Sequence, residues 1–339
     1  AALLLVSFFL LRPPPSPRRL GTPSPASALF RRGLLPGSLG LGGGLGVVLL
    51  LLAAYGLWAL LQGSSYLYLA AAYGLHLLLV LSSRAWRRMI LPPIPTPFDR
   101  EGRLDEEAFR ELAQALEPLV DGLLVYGSNG EGVHLTPEER ARGLRALRPR
   151  KPFLVGLMEE TLPQAEGALL EAKAAGAMAL LATPPRYHHG SLGAGLLRYY
   201  EALAEKMPLF LYHVPQNTKV DLPLEAVEAL APHPNVLGIK DSSGDLSRIA
   251  FYQARLREFR VYTGHAPTFL GALALGAEGG ILAAANLAPR AYRALLDHFR
   301  EGRLAEAQEL QKKLFPLGDL LAKGGVPLLK QALRHLGLP

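Results

Sequence analysis

The stretch VLGIKDSSGD, residues Val236–Asp245, is a short apolar run that ends in Lys240 and a Gly/Ser-rich turn. A run of this length followed by such a turn predicts a buried β-strand with Lys240 at its end. An ammonium group there is costly unless it is paired or has lost its proton. Such a lysine can form a Schiff base with a carbonyl substrate, whereas a lone lysine would more often extend its charge into solvent. The rest of the chain favours the Schiff base.

Short apolar runs of this kind alternate with amphipathic helical patterns from Met89 onward. The predicted strands are Ile90–Pro93, Gly122–Tyr126, Phe153–Leu157, Ala179–Ala182, Leu209–Val214, Val236–Lys240, Arg260–Thr263 and Gly280–Ala283. Helix start signals lie between them, such as the caps expected at Asp105 and Thr136 and the first-turn proline Pro163. Alternation of this kind predicts a parallel sheet covered by helices.

Eight such units favour an α/β fold of the (β/α)8 barrel type over an open doubly wound sheet. No GxGxxG follows a predicted strand, which argues against a dinucleotide-binding fold. Two further helical segments, Arg303–Leu321 and Val326–Leu336, are predicted after the eighth unit. We therefore expect residues 89–339 to form one barrel domain with additional C-terminal helices.

Residues 1–88 differ sharply in composition from the rest of the chain. They contain eight arginines and no lysine, aspartate or glutamate, whereas the remaining residues hold 28 basic and 29 acidic side chains. The uncharged runs Leu41–Leu61 and Tyr66–Leu81 are candidate transmembrane helices, and the flanking arginines predict a hairpin with both ends cytoplasmic. The alternative, which we favour, is an upstream extension before a natural start at Met89.

The charge distribution limits the partners of the second segment. Residues 89–339 carry a net charge of about −1, so the basic character of the whole chain does not indicate nucleic-acid binding. We expect a cytoplasmic catalytic domain that contacts a membrane only through residues 1–88. The chain has no cysteine, and the adjacent His188 and His189 lack a carboxylate cluster, so neither a metal site nor a cofactor is expected.

Polar residues follow several of the predicted strands. Barrel enzymes place their chemistry at the carboxyl ends of the strands, where Lys240, Tyr212 and the turn Gly127–Glu131 would meet. Tyr212 could move protons during Schiff-base formation. The turn offers backbone N–H groups with Ser128 and Asn129 as donors for a substrate carboxylate. Taken singly, the tyrosine could equally be a core residue and the turn an ordinary connection.

Three motifs in the same order resemble the dihydrodipicolinate synthase/N-acetylneuraminate lyase family of class I aldolases. They are Gly127–Glu131 (GSNGE), Tyr212–Thr218 (YHVPQNT) and Gly238–Asp241 (GIKD). The resemblance covers about Met89 to the chain end and implies a (β/α)8 homo-oligomer, a tetramer or dimer. It implies Lys240 as the Schiff-base lysine, Tyr212 as the proton shuttle, and Ser128 and Asn129 as the keto-acid carboxylate site. Asn217 and Ser242 would contact the substrate, and Gly264 and Ile281 would line the pocket.

Departures from the family pattern narrow the predicted activity. Dihydrodipicolinate synthases carry an arginine at the position of Asn217, which binds the carboxylate of the aldehyde substrate. An amide side chain cannot replace the bidentate, charged contact that an arginine makes with a carboxylate. This variant resembles 4-hydroxy-2-oxoglutarate aldolases, carbon–carbon lyases that release pyruvate and glyoxylate. A dihydrodipicolinate synthase that uses Arg186 instead is the alternative, and a non-catalytic keto-acid sensor is an alternative of another class.

Two further departures concern single segments. The family places a catalytic tyrosine soon after a Thr-Pro pair, and Tyr187 would fill that role one position along unless Arg186 has changed it. Family members also usually continue with further helical sequence beyond the position of Pro339. We therefore expect the C-terminal helices to be shortened, with a cost to folding or assembly.

Overall fold

The computed structural model of the chain describes residues 89–187 and 193–339. The predicted transmembrane runs Leu41–Leu61 and Tyr66–Leu81 lie outside the described residues, as does the His188–His189 pair. Across the described ranges, every helix is too short or too polar to cross a bilayer.

The centre of the described fold is a parallel sheet. Its strands are β1 (Leu123–Val125), β2 (Phe153–Leu157), β3 (Ala179–Ala182), β4 (Leu209–His213), β5 (Val236–Asp241), β6 (Arg260–Thr263) and β7 (Gly279–Gly280). Each strand pairs with the next one along the chain, in the order β1 to β7. The register places Tyr212 beside Lys240 and Lys240 beside Tyr262. The carboxyl ends of neighbouring strands are thereby aligned at one edge.

The first predicted strand, Ile90–Pro93, connects the two edges of this sheet. The Leu91 amide donates to the carbonyl of Gly280 in β7, and the Leu124 amide of β1 donates to the carbonyl of Pro92. The segment forms isolated bridges instead of a continuous strand. Pro92 and Pro93 have no N–H to donate, which explains the interruption. The sheet is curled, an arrangement consistent with the predicted (β/α)8 barrel.

Helices follow the strands. They are α1 (Glu106–Leu116), α2 (Pro137–Leu147), α3 (Leu162–Ala174), α4 (Gly193–Ala204), α5 (Pro215–Thr218), α6 (Leu224–Leu230), α7 (Leu246–Arg255), α8 (Phe269–Ala274), α9 (Pro289–Arg300) and α10 (Leu304–His335). The predicted caps are confirmed. Asp105 accepts from the Ala108 amide, and Thr136 forms a capping box with Glu139. Pro163 lies in the first turn of α3 as predicted, and Thr161 caps that helix, which was not predicted from the sequence.

The prediction is wrong for the last strand, whereas the two predicted C-terminal helices are confirmed. The last predicted strand, Gly280–Ala283, is shortened to β7, and the chain enters a 3-10 helix at Ala283–Asn286. The two predicted C-terminal helices, Arg303–Leu321 and Val326–Leu336, correspond to the two parts of α10, which is broken at Gly325 with φ 60° and ψ −153°. Glycine tolerates this backbone conformation, and Pro327 restarts the helix within its first turn. The two parts of α10 are therefore joined by a kink at Gly325 and not by a loop.

The core consists of two buried groups of side chains. One packs the outer face of the sheet against the helices, and it includes Ile239. The other contains residues of the strands and their ends, none of them in a helix, and it includes Phe210, Tyr212, Tyr262 and Ile281. Side chains along a strand alternate between faces, so Lys240, next to Ile239, shares the inner face with Tyr212. The fold thus directs the lysine into the enclosed side of the sheet.

Candidate active site

A cavity of about 550 Å³ opens at the carboxyl ends of the strands. Nearly all of the residues predicted to form the site line it, namely Ser128, Asn129, Tyr212, Asn217, Lys240, Ser242, Gly264 and Ile281. Among the described lining residues, Lys240 is the sole lysine or arginine. A volume of this size suits a small polar ligand.

Lys240 and Tyr212 are in direct contact inside this cavity. The Nζ of Lys240 donates to the Oη of Tyr212 at 3.1 Å and lies 4.2 Å from the centre of its ring. Both side chains are buried, with relative exposures of 2% and 3%. The Oη of Tyr212 is also 3.3 Å from the Oγ of Ser128. A continuous line of hydrogen-bonding groups therefore runs from the lysine to the Gly127–Glu131 turn.

The surroundings of Tyr212 lower the pKa of its phenol. Burial alone would raise the pKa of the phenol, but the charge of Lys240 and hydrogen bonds with Ser128, Lys240 and Ser242 outweigh burial. The pKa of Tyr212 therefore lies below its usual value of about 10. A phenol of lowered pKa exchanges protons more readily, as a proton shuttle requires.

The Gly127–Glu131 turn is short and tightly held. Ser128–Gly130 forms one turn of 3-10 helix, and Glu131 ends it in the left-handed region with φ 51°. Thr96, which is fully buried, donates its hydroxyl proton to the carbonyl of Gly130. Sequence reasoning did not identify Thr96. Its role depends on a contact across 34 positions that no local pattern reveals.

The absence of a side chain at Gly264 makes room for the lysine. A Cβ built on Gly264 would lie 1.9 Å from the Oγ of Ser242 and 2.8 Å from the Cε of Lys240. Both distances are shorter than van der Waals contact, so any larger residue would displace one of these side chains. Gly264 thus determines where Lys240 and Ser242 can lie.

Tyr187 is not brought together with the other predicted residues. Its side chain is 83% exposed, and it does not line the cavity. The neighbouring Arg186 places its Nε 2.6 Å from Glu160, and the same carboxylate accepts the backbone amides of both residues. Glu160 therefore pairs with the charge of Arg186, and neither Arg186 nor Tyr187 is among the described residues that line the cavity.

A buried ion-pair network lies behind Lys240 on the outer face of β5. The carboxylate of Asp241 accepts from the Nε of Arg248 at 3.1 Å and from the Oη of Tyr252 at 3.0 Å. Arg248 also contacts Asp221, which lies 3.5 Å from the Nε2 of the buried His213. Burial lowers the pKa of His213. These contacts fix the end of β5 from outside the cavity.

The C-terminal helix supplies the remaining wall of the cavity. Gly318, Leu321, Ala322, Gly325 and Val326 of α10 all line it. The sequence signal for this wall was weak, because small and apolar residues in a helix indicate packing in general. The wall opposite Lys240 is thus built without charged groups among the described residues.

Comparison with known proteins identifies the family of the chain. The model of the dihydrodipicolinate synthetase family matches residues 87–339. A 4-hydroxy-tetrahydrodipicolinate synthase of Methanoculleus marisnigri is 35% identical over 260 residues, which cover 74% of this chain and 89% of the relative.

Solved structures are also similar. A chain from Thermus thermophilus, provisionally named a dihydrodipicolinate synthase, is 99% identical with a TM-score of 0.73, covering 74% of this chain and 89% of that one. YagE, a prophage protein of Escherichia coli K12 crystallised with pyruvate, is 30% identical with a TM-score of 0.69, covering 74% and 88%. The matched region contains Lys240, Tyr212 and the Gly127–Glu131 turn. The chain therefore belongs to the dihydrodipicolinate synthetase family of carbon–carbon lyases.

Proposed function

We propose that the chain is a class I aldolase that forms a Schiff base between Lys240 and a pyruvate-type 2-keto acid. The observation that carries this proposal is the 3.1 Å contact between Lys240 Nζ and Tyr212 Oη inside a cavity that also contains Ser128 and Asn129. A buried amine beside a proton-exchanging group is the arrangement that Schiff-base chemistry needs. The comparison with YagE supports it, because that relative was crystallised with pyruvate.

The chemistry follows from the order of the groups. The neutral amine of Lys240 attacks the keto carbon, and the resulting carbinolamine loses water to give an iminium. Tyr212 carries the protons, receiving one from the amine and returning one to the departing hydroxyl. The substrate's C4 hydroxyl then gives its proton to Tyr212, which has just lost one, as the iminium accepts the electron pair of the cleaved C–C bond; this gives an enamine and releases the aldehyde. Protonation and hydrolysis of the enamine free the keto acid and Lys240.

The carboxylate of the keto acid is assigned to the Gly127–Glu131 turn. Its backbone N–H groups and the side chains of Ser128 and Asn129 are neutral donors that can bind an anion. Ser128 also contacts Tyr212 at 3.3 Å, so carboxylate binding and proton transfer would share one residue. We assign the proton shuttle to Tyr212 and not to Tyr187, which lies outside the cavity.

For the complete substrate we propose 4-hydroxy-2-oxoglutarate, which would be cleaved to pyruvate and glyoxylate. Asn217 lines the cavity where related synthases carry arginine, and the other described lining groups near it are neutral. A second carboxylate would be held by amide and hydroxyl donors, without an ion pair. The second candidate is 4-hydroxy-tetrahydrodipicolinate synthase, because the relatives at 32–35% identity bear that name.

We propose that the catalytic unit is residues 89–339, closed as a (β/α)8 barrel and assembled as a homo-oligomer. The bridging of both sheet edges by Met89–Ile94 supports closure of the barrel. No role in catalysis is proposed for residues 1–88.

Borohydride trapping tests the mechanism. The full chain is incubated with pyruvate and borohydride, and intact mass and a peptide map are measured. We expect a reduced pyruvate adduct on Lys240 and none in Lys240→Ala. A folded protein without any adduct would overturn the proposal and favour the keto-acid sensor.

The substrate is tested separately. Retro-aldol turnover of 4-hydroxy-2-oxoglutarate is compared with condensation of pyruvate and aspartate semialdehyde. We expect the first reaction to have the larger kcat/KM. The reverse order would assign the chain as a 4-hydroxy-tetrahydrodipicolinate synthase.

A further inference from the structure

The GSNGE turn is tied to the far end of the chain by an ion pair. The Nζ of Lys330 in α10 lies 2.5 Å from the Oε2 of Glu131, the last residue of the turn. The same ammonium lies 4.3 Å from the centre of the Phe98 ring. Neither charged side chain is freely exposed, since their relative exposures are 18% and 23%. Water therefore screens this charge contact less than it screens an ordinary surface ion pair.

Lys330 is presented by a rigid element. The part of α10 after the Gly325 break is anchored by Leu329 and Leu333, both of which are fully buried. The packing of these two leucines holds the backbone of Lys330 in place. The position of Glu131 is thus set by the packing of the C-terminal helix.

The geometry of Glu131 bears directly on the carboxylate site. Its left-handed backbone, with φ 51°, ends the 3-10 turn that contains Ser128 and Asn129. A non-glycine residue in this conformation costs free energy and persists when its surroundings enforce it. Thr96 holds the adjacent Gly130 carbonyl from one side, and Lys330 holds the Glu131 carboxylate from the other.

We propose that Lys330 is a positioning residue for the keto-acid carboxylate and acts through Glu131. This inference rests on the proposed function, since it assumes that Ser128 and Asn129 bind the carboxylate. Lys330 does not line the cavity itself. Loss of the ion pair lets the turn relax, which weakens binding of the keto acid and leaves the Lys240–Tyr212 pair in place. The C-terminal helix thereby contributes to affinity from outside the cavity.

The test measures borohydride trapping of pyruvate by the full chain as a function of pyruvate concentration. In Lys330→Met and Glu131→Gln we expect half-saturation to rise about three- to tenfold, with the same adduct level at saturation. The double variant should match the single ones, because both remove one interaction. Lys330→Arg should restore half-saturation to near the wild-type value.

Lys323→Met is the matched control. Lys323 lies on the same helix and pairs with Asp319 at the surface, so its loss should not change half-saturation. If the wild type traps pyruvate and both single variants saturate as it does, the proposal is overturned, even if they unfold at lower temperature. If Lys330→Met does not fold, Glu131→Gln, which preserves side-chain size, is the deciding variant. Half-saturation equal to that of the wild type in Glu131→Gln would then overturn the proposal. An untrapped wild type would instead contradict the proposed function.

Discussion

Lys240 and Asp241 are neighbours in sequence and lie on opposite faces of the same strand. Lys240 contacts Tyr212 inside the cavity, whereas Asp241 binds Arg248 and Tyr252 on the outer face. Because strand side chains alternate, Lys240 presents its amine to the cavity while Asp241 anchors the strand that carries it. The position of the lysine therefore depends on a network that never touches the substrate.

Removal of Arg248 should destabilise the protein. Arg248→Met leaves the buried carboxylate of Asp241 without its ion-pair partner, and we expect the free energy of unfolding to fall by about 3–5 kcal/mol. Arg255→Met is the control, because Arg255 pairs with Glu228 at the surface and its loss should cost less than about 1 kcal/mol. Urea unfolding measures the free energy of unfolding of both variants. Equal losses would show that burial of the Arg248 pair is unimportant.

A side chain at Gly264 should disable Lys240. In Gly264→Ala the new Cβ would clash with Ser242 and with the Cε of Lys240, so trapping of pyruvate should slow about 100-fold. Overpacking should lower stability by about 1–3 kcal/mol. Gly167→Ala in α3 is the control, because its Cβ would meet nothing within 4 Å and should leave trapping unchanged. An unaffected trapping rate in Gly264→Ala would contradict the packing argument.

Loss of the Tyr212 hydroxyl should slow proton transfer. We expect Tyr212→Phe to lower kcat about 10²–10⁴-fold, with the Schiff base still forming slowly on Lys240. Tyr200→Phe removes a buried hydroxyl that donates to Ala182, and it should reduce stability by about 1 kcal/mol without changing kcat. Steady-state kinetics give the kcat of each of the two variants. A kcat of Tyr212→Phe within about twofold of the wild type would exclude Tyr212 as the shuttle.

An arginine at position 217 should change substrate preference. Asn217→Arg would add a bidentate cation to a cavity wall, and the ratio of kcat/KM for aspartate semialdehyde to that for glyoxylate should rise about 10- to 100-fold. Asn217→Gln keeps the amide and should leave the ratio near the wild-type value. Condensation of pyruvate with each aldehyde gives the two constants. An unchanged ratio in Asn217→Arg would mean that position 217 does not select the aldehyde.

His213 should make stability depend on pH. Burial lowers its pKa in the folded state, with Arg248 adding to this effect against the carboxylates of Asp241 and Asp221. The unfolded chain therefore binds a proton near pH 6.5 that the folded chain does not. Stability is full above that pH and falls as the pH drops towards the folded-state pKa.

The variant His213→Asn tests this dependence. Between about pH 7.5 and 5.5, its free energy of unfolding should fall less than that of the wild type. The difference between the two slopes should be at most about 1.4 kcal/mol per pH unit, the contribution of one titrating group. His335→Asn, at the exposed end of α10, should retain the wild-type dependence. Urea unfolding at the two pH values provides the comparison. Parallel slopes for wild type and His213→Asn would contradict the prediction.

Local sequence was enough for much of the fold. The predicted strands Phe153–Leu157, Ala179–Ala182 and Arg260–Thr263 match β2, β3 and β6 at both ends. An apolar run of that length is too short for a helix of usual length, so a strand is the favoured structure when a helix cap signal follows it. The prediction was less accurate at Ile90–Pro93 and Gly280–Ala283, where prolines and close backbone packing interrupt the strand.

The candidate site was predictable where a motif lies at a strand end. Lys240, Tyr212 and Ser128 were inferred from their positions, and they meet within hydrogen-bonding distance. Tyr187 was inferred from similarity alone, and it lies outside the cavity. The Tyr187 amide donates to the carboxylate of Glu160, 27 positions earlier in the chain. The spacing of residues in the sequence does not reveal this contact.

The sequence by itself determined the order of strands and helices, the charge asymmetry at residue 88 and the residues to which we assign the chemistry. These follow from periodicity and residue type, which are local properties. Only the tertiary structure decided that Gly264 makes room for Lys240, that Asp241 is anchored by Arg248, and that Lys330 in the C-terminal helix reaches Glu131. Such contacts depend on packing between distant segments, and packing is settled only when the whole chain has folded.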